Sequence, residues 1–296
     1  MNGDTIIAKE IERTISSELG RIALLYRVFF RIKTTQSLQK KLDRDPKKYS
    51  VDGKKIQDAF GFRVTVYFSD DIHLVKSLIT SVFDVIEETI DLTEDSHFGA
   101  TRCNIICSLP LIGSPSEILT FDERIDNTFE IQLRTVLSEG WHEVEHDLRY
   151  KCTEDWNDHK DLGRALNGIL ASLETSDWGM SQIFEDLAYR HYKSSNWNGM
   201  LRNKFRLRIT GTLSAELTGL FENDNNLAKK VFRVERATLL LKISESRIFI
   251  PITMDNLVFI VNYLFLNQQK ITDLMPMLLT HKFNEHFQRE NKCISS

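Results

Sequence analysis

At 296 residues, 42% hydrophobic and 27% charged, the chain has room for one large domain or two ordinary ones built on a sizeable core. Its cysteines, Cys103, Cys107, Cys152 and Cys293, are too scattered for a disulfide framework or a zinc site. A net charge of −4 does not mark a nucleic-acid binder, and without an apolar run near about 18 residues or a leader-like N-terminus the expected setting is the cytosol, away from membranes.

Apolar residues at three- and four-residue steps, from Ile7 through Ile11, Ile15, Leu19 and Leu25 to Phe29, predict an opening helix over residues 4–30 with Asp4 as its N-cap. A short helix follows over 37–42, closed by Asp45-Pro46. Phe62, Val64, Val66 and Phe68 alternate with Arg63, Thr65 and Tyr67, the period of a half-buried strand with Arg63 on its polar face. Asp70-Asp71 then opens a helix to about residue 83, and further strands are expected at 85–92, 102–109 and 128–134, with 112–126 as a connecting loop. Helical spacing returns from Val136 to Leu148 and fades in the polar run 153–161. Beyond it, helices are expected over 162–191, 213–221, 227–243, 256–266 (capped by Asp255) and 274–287, although residues 231–252 also suit a hairpin. The pattern reads as α+β: a mixed β-sheet flanked by helices over residues 1–153, then a mainly α-helical region over 154–296.

Charge is unevenly placed. Residues 21–63 hold 12 Lys/Arg against 4 Asp/Glu, while residues 64–130 hold 3 against 13. A basic block beside an acidic one suits a site that grips polyphosphate with one wall and a divalent cation with the other, or two solvated faces of opposite sign.

Four patterns carry the chemistry: Arg31-Ile32-Lys33-x-x-x-Ser37 followed by Lys40 and Lys41; Asp58-x-x-Gly61-x-Arg63; Glu130-Ile131-Gln132-Leu133-Arg134-Thr135; and Trp141-x-x-x-Glu145-His146-x-x-x-Tyr150-Lys151. Arg31, Lys33, Ser37, Lys40 and Arg63 make a set suited to cradling a triphosphate, because guanidinium and ammonium groups donate charge-assisted hydrogen bonds to phosphate oxygens. Strand alternation puts Glu130, Gln132 and Arg134 on one face, with Phe129, Ile131 and Leu133 toward the core. Asp58, just before the strand of Arg63, and Glu130, on a separate strand, are carboxylates able to share Mg²⁺, which takes one or two protein carboxylates and completes its shell with water and phosphate.

Taken in order, these four blocks resemble the synthetase domain of the RelA/SpoT alarmone family, over about 120 of the 296 residues. The resemblance implies a nucleotidyltransferase-like fold and a (p)ppGpp synthetase (GTP pyrophosphokinase) of the stringent response, which moves pyrophosphate from ATP to a ribose 3′-hydroxyl with Mg²⁺. It implies that Arg31 and Arg63 sandwich the adenine, that Lys33, Ser37 and Lys40 or Lys41 contact the phosphates, and that His146 and Lys151 complete that wall. Asp58 is then the Mg²⁺ ligand, Glu130 the second carboxylate and general base, and Gln132 and Arg134 shape the acceptor side. The chain carries no upstream histidines for the family's hydrolase, so a synthetase alone is expected.

One stretch departs from the family's G-Y-x-S-L-H: the chain reads Gly99-Ala100-Thr101-Arg102-Cys103-Asn104. Gly99 is kept, but the tyrosine that stacks on the acceptor guanine is Ala100, and the histidine is Asn104. His97 and Phe98 offer a substitute aromatic face, and Arg102 and Asn104 a polar one. The acceptor readings left open are a guanosine nucleotide (GDP or GTP) bound differently, a toxin-like use of adenosine nucleotides or tRNA 3′ ends, and a catalytically inactive ATP sensor. For residues 154–296, where Lys204, Arg206 and Arg208 alternate, oligomerisation, an antitoxin or other regulatory partner, and restraint of the synthetase all stay open.

Overall fold

Period-two alternation over two apolar runs builds the central strands of a five-stranded sheet in a computed structural model of the chain. The structure describes residues 2–44, 46–90, 103–111, 113, 115–246 and 249–294. The strands are β1 (Tyr26–Ile32), β2 (Phe60–Val66), β3 (Val85–Ile90), β4 (Cys103–Ser108) and β5 (Thr128–Thr135), in the order β1-β2-β5-β4-β3. Only β2 and β5 run parallel; the other three pairings are antiparallel, so the sheet is mixed as expected.

Residues paired across strands share a face. Phe60, Phe62 and Val64 of β2, Phe129, Ile131 and Leu133 of β5, and Cys103, Ile105 and Cys107 of β4 are buried together on one face. Phe62 and Phe83 both meet the Phe129 ring edge-on, at 5.5 Å and 5.1 Å. The opposite face carries two polar rows: Arg31, Gly61, Glu130 and Ile106, then Phe29, Arg63, Gln132 and Asn104.

Helix α1 (Gly3–Arg21) is shorter than the expected 4–30. The chain turns at Ala23, whose φ of 53° is left-handed, and the next residues, Tyr-Arg-Val-Phe-Phe-Arg-Ile, form β1 with alternate positions exposed. β-branched and aromatic side chains favour the pleat, and apolar residues at 22, 25, 26 and 29 satisfy helical spacing without a helix. The cap also differs: Asn2 accepts from the Thr5 amide at 3.0 Å, while Asp4 is buried and accepts from the Ser116 hydroxyl at 2.5 Å.

Helix α2 (Thr35–Arg44) buries Leu38 and Leu42, and α3 (Asp71–Val82) packs on β5 while burying Leu74, Val75, Leu78 and Ile79. At about 1.5–3 kcal/mol per buried aliphatic side chain, these four outweigh any loss at Asp70, which makes no side-chain cap. Strand β5 runs directly into α4 (Val136–Glu145): Thr135 accepts from the Ser138 amide and the Ser138 hydroxyl from the Thr135 amide, both at 3.1 Å, a reciprocal cap. A π-helical turn (His146–Tyr150) follows, and then α5 (Lys160–Lys193).

Contacts divide the chain into two units, residues 1–17 with 26–179, and residues 18–25 with 180–296. The boundary expected at 153/154 thus falls inside the first unit, where the start of α5 packs back on α4. Trp141 Nε1 donates to the Leu166 carbonyl at 2.8 Å, and Arg149 lies over the Trp141 ring while donating to Asn167.

The second unit is helical: α6 (Trp197–Phe205), α7 (Ala215–Asn223), α8 (Asn225–Phe232), α9 (Arg236–Ser246), α10 (Met254–Val261), α11 (Gln269–Thr272) and α12 (Met277–Ile294). Helix α6 was not expected; Asn196 caps it, and Trp197, Met200, Leu201 and Phe205 are buried. Gly199 meets the His191 ring so closely that a Cβ would sit 2.7 Å from it. The run 231–252, open between helix and hairpin, ends α8 and forms α9. Thr253, not Asp255, caps α10, accepting from the Asn256 amide, while Asp255 accepts from the Ser214 amide. No helix among the described residues is long and apolar enough to cross a membrane.

Candidate active site

Asp58 precedes β2, where the chain leaves the α2 connection, and two lysines reach it. Lys33, at the end of β1, approaches to 2.5 Å, and its backbone amide is held by the Ala59 carbonyl at 3.0 Å. Lys41, one face of α2, approaches to 2.9 Å and lies over the Tyr49 ring. Burial pushes the Asp58 carboxyl up, but the two ammonium groups outweigh it and hold it below the usual range. The lysines diverge: burial pulls Lys33 down despite Asp58, with Lys41 adding repulsion, whereas for Lys41 burial is outweighed and its ammonium is held up, by Asp58 first.

Glu130 lies one strand over, on β5, opposite Gly61. Both of its oxygens accept from amides: Oε1 from Asn104 Nδ2 at 3.0 Å and Oε2 from Gln132 Nε2 at 3.1 Å. Burial raises its pKa, and the negative charge of Asp58 raises it further, against lowering by the Gln132 hydrogen bond, Lys33 and Arg134. The two carboxylates therefore sense each other's charge while being driven in opposite directions, a separation of pKa values that suits one group to staying ionised and the other to exchanging a proton.

Arg31 is exposed on the edge strand, in the row of Gly61 and Glu130. Arg63 donates to Glu139 at 2.6 Å and also to Glu143, two carboxylates one turn apart on α4. Burial raises the Glu139 carboxyl despite that guanidinium. Arg134 is buried on the Glu130 face, and Thr135 donates its hydroxyl to Asp177 of α5 at 2.5 Å.

The structure therefore gathers Lys33, Lys41, Asp58, Asn104, Glu130, Gln132 and Arg134, with Arg31 and Arg63 on the same sheet face. It does not bring in every expected residue. Lys40 is exposed on α2, and Ser37 lies in that helix's first turn, its amide donating to Thr34. His146 and Lys151 pair with Asp147, at 2.9 Å and 2.6 Å, in an exposed group on the π-helical turn. Gly99 and Arg102, with His97, Phe98 and Ala100, lie outside the described residues. The sequence reading missed Glu139 and Glu143, although their i, i+4 spacing behind the third pattern was visible. It also gave Trp141 and Glu145 no structural duty, yet Trp141 anchors α5 and Glu145 accepts from Arg149 at 3.2 Å.

Among the described residues, no group of three or more His, Cys, Asp or Glu is arranged around a metal position. The donor set nonetheless fits Mg²⁺: Asp58, just before β2, and Glu130, on the neighbouring β5, supply carboxylate oxygens, and that ion commonly takes one or two, the rest coming from water and substrate.

Known proteins resemble this part of the chain. The family model described as the region found in RelA / SpoT proteins matches residues 30–155. The GTP pyrophosphokinase YjbM of Bacillus subtilis (strain 168) is 28% identical over 100 residues, a stretch covering 32% of this chain and 43% of that protein, less than half its length. Among solved structures, small alarmone synthetase 1 of Bacillus subtilis superposes with a TM-score of 0.46 at 21% identity, over 60% of this chain and 92% of that one. A GTP pyrophosphokinase family protein of Streptococcus pneumoniae gives 0.48 at 22% identity, over 62% and 90%. The four patterns lie within the segment that this family model matches, residues 30–155.

Proposed function

We propose that the RelA/SpoT region is a pyrophosphokinase, transferring the β,γ-pyrophosphate of ATP to the 3′-hydroxyl of a guanosine nucleotide, GDP or GTP, to give (p)ppGpp. The observation that carries this reading is the carboxylate pair: Asp58, just before β2, held ionised by Lys33 and Lys41, and Glu130, on the neighbouring parallel strand β5, raised by burial. The name of the Bacillus subtilis relative supplies the reaction class.

In the transfer, the 3′-oxygen bonds to the β-phosphorus, the bond from that phosphorus to the bridging α,β-oxygen breaks, and AMP leaves. The 3′-hydroxyl proton passes to Glu130, whose raised pKa brings it closer to the operating pH of a general base. Lys33 and Lys41 pass from Asp58 to the phosphate oxygens, and Arg31 and Arg63 present guanidinium faces to the adenine. Mg²⁺ bound by Asp58 and Glu130 would neutralise phosphate charge.

Ala100 and Asn104, where the family has tyrosine and histidine, support a second reading of the acceptor as an adenosine nucleotide or a tRNA 3′ end. Loss of a stacking ring removes about 1–3 kcal/mol of base recognition. One assay separates them: γ-labelled ATP with GDP, GTP, ADP, AMP or bulk tRNA, with Glu130→Ala as control. Label on GDP or GTP sustains the first reading and label on the others the second. ATP binding without transfer to any acceptor removes both and leaves a nucleotide sensor.

A further inference from the structure

Asn104 sits on β4 directly across from Gln132 of β5, on the polar face. Its Nδ2 donates to Glu130 Oε1 at 3.0 Å, diagonal to the strand pairing, while Gln132 Nε2 takes Oε2 from within the same strand. The carboxylate is thereby gripped from both sides by neutral donors. Because an ionised carboxylate only accepts, the amide nitrogen of Asn104 must face it, which turns Oδ1 the other way. That oxygen is buried and has no hydrogen-bond partner among the described residues. An asparagine placed to satisfy the strands would bond at both ends; this one is satisfied only at Glu130.

We infer that Asn104 is a positioning residue for the proposed transfer: with Gln132 it forms a two-amide clamp that fixes the plane of the Glu130 carboxylate. This rests on the pyrophosphokinase reading for its purpose, but not for its geometry. The clamp is electrically neutral and carries no titrating proton of its own. It also holds the carboxylate without cancelling its charge, leaving the remaining lone pairs to a substrate hydroxyl.

The test uses the full chain. In a crystal structure of the parent the Glu130 carboxylate should hold one orientation. Asn104→Leu keeps the volume and removes the donor; it is expected to turn that carboxylate or spread it over two orientations, and to lower kcat about tenfold with the KM for ATP unchanged. Asn104→His keeps a nitrogen donor and should return both readouts toward the parent, and Asn104→Ser, too short to reach, stands in if the leucine variant does not fold. A Glu130 carboxylate in its parent orientation in a folded Asn104→Leu or Asn104→Ser protein overturns the clamp. A turned carboxylate in the variant of a chain that transfers nothing to any acceptor upholds the clamp and removes the pyrophosphokinase reading instead.

Discussion

The sheet face around Glu130 and the helical core of the second unit treat polar groups in opposite ways. In the second unit, polar side chains close helix ends: Asn196, Ser214 and Thr253 each cap the helix that follows, while Leu217, Leu239, Leu240 and Leu257 fill the interior. On the sheet face, polar side chains bond to one another: Lys33 and Lys41 to Asp58, Asn104 and Gln132 to Glu130, Arg63 to Glu139 and Glu143, all but the Gln132–Glu130 bond across elements. A neutral cap satisfies the backbone and offers a substrate no charge. A charged pair left partly open to solvent can exchange its partner for a substrate's phosphate, which separates a site from a scaffold built of the same residue types.

The largest expected break in that comparison is Glu130→Gln, which keeps the clamp's shape but removes the proton acceptor; kcat for transfer should fall by about 10²–10⁴, measured with labelled ATP. The pH dependence follows from the same group. On the proposed reading transfer needs Glu130 ionised, and its pKa is raised, so kcat/KM should fall with decreasing pH at a midpoint above the ordinary glutamate value. Asp58 is held low and stays ionised throughout that window. Its contribution to stability has the opposite placement: complete above the unfolded value and lost only as pH falls through the depressed folded one. An acid limb at or below the ordinary glutamate value would remove Glu130 as the base.

Next in size, Leu257→Ala in the second unit empties a fully buried position, and the midpoint of denaturant unfolding should reveal a loss of about 2–5 kcal/mol. The KM for ATP should not change in the folded fraction. Smaller again is the double change Glu139→Gln, Glu143→Gln. These carboxylates tie down one edge of the Arg63 guanidinium and leave its faces to stack. Neutralising both should raise the KM for ATP by roughly 3- to 10-fold, with kcat nearly unchanged; a fall in kcat alone would remove Arg63 from the adenine site.

What the sequence revealed followed its periods. Period-two alternation exposed β2 and β5, because a residue such as Glu130 between Phe129 and Ile131 has one reading in a buried strand. The edge strand β1 was hidden, since Tyr26, Phe29 and Phe30 fit the preceding helix's spacing as well as their own, and only the left-handed Ala23 divides them. Asp58 and Glu130 could be paired from motif order, but their partners could not: whether Lys40 or Lys41 reaches Asp58 depends on the rotation of α2, which leaves Lys40 exposed. His146 and Lys151 show the converse, since a shared motif with spacing of five on a π-helical turn gathers them around Asp147 instead of the carboxylate pair.

The smallest effect tests the other side of the comparison, a polar group with no site to serve. Both Thr253 and Asp255 stand at the start of α10, and the acidic residue is the one a sequence pattern favours. Thr253 adopts the extended backbone of a cap, φ −94° and ψ 171°, and its hydroxyl takes the Asn256 amide, one of the four donors a helix start leaves unpaired. Thr253→Ala should therefore cost about 1 kcal/mol in chemical denaturation. Asp255 lies one residue inside the helix and spends its carboxylate on the Ser214 amide at 2.8 Å, the residue that caps α7. Its removal gives up one hydrogen bond and the favourable placing of a negative charge near an N-terminus, each worth about 0.3–1.5 kcal/mol, and because the charge contribution is screened, the loss from Asp255→Ala should shrink in added salt while that from Thr253→Ala does not. Equal salt dependence in the two variants would mean that the hydroxyl is not the cap.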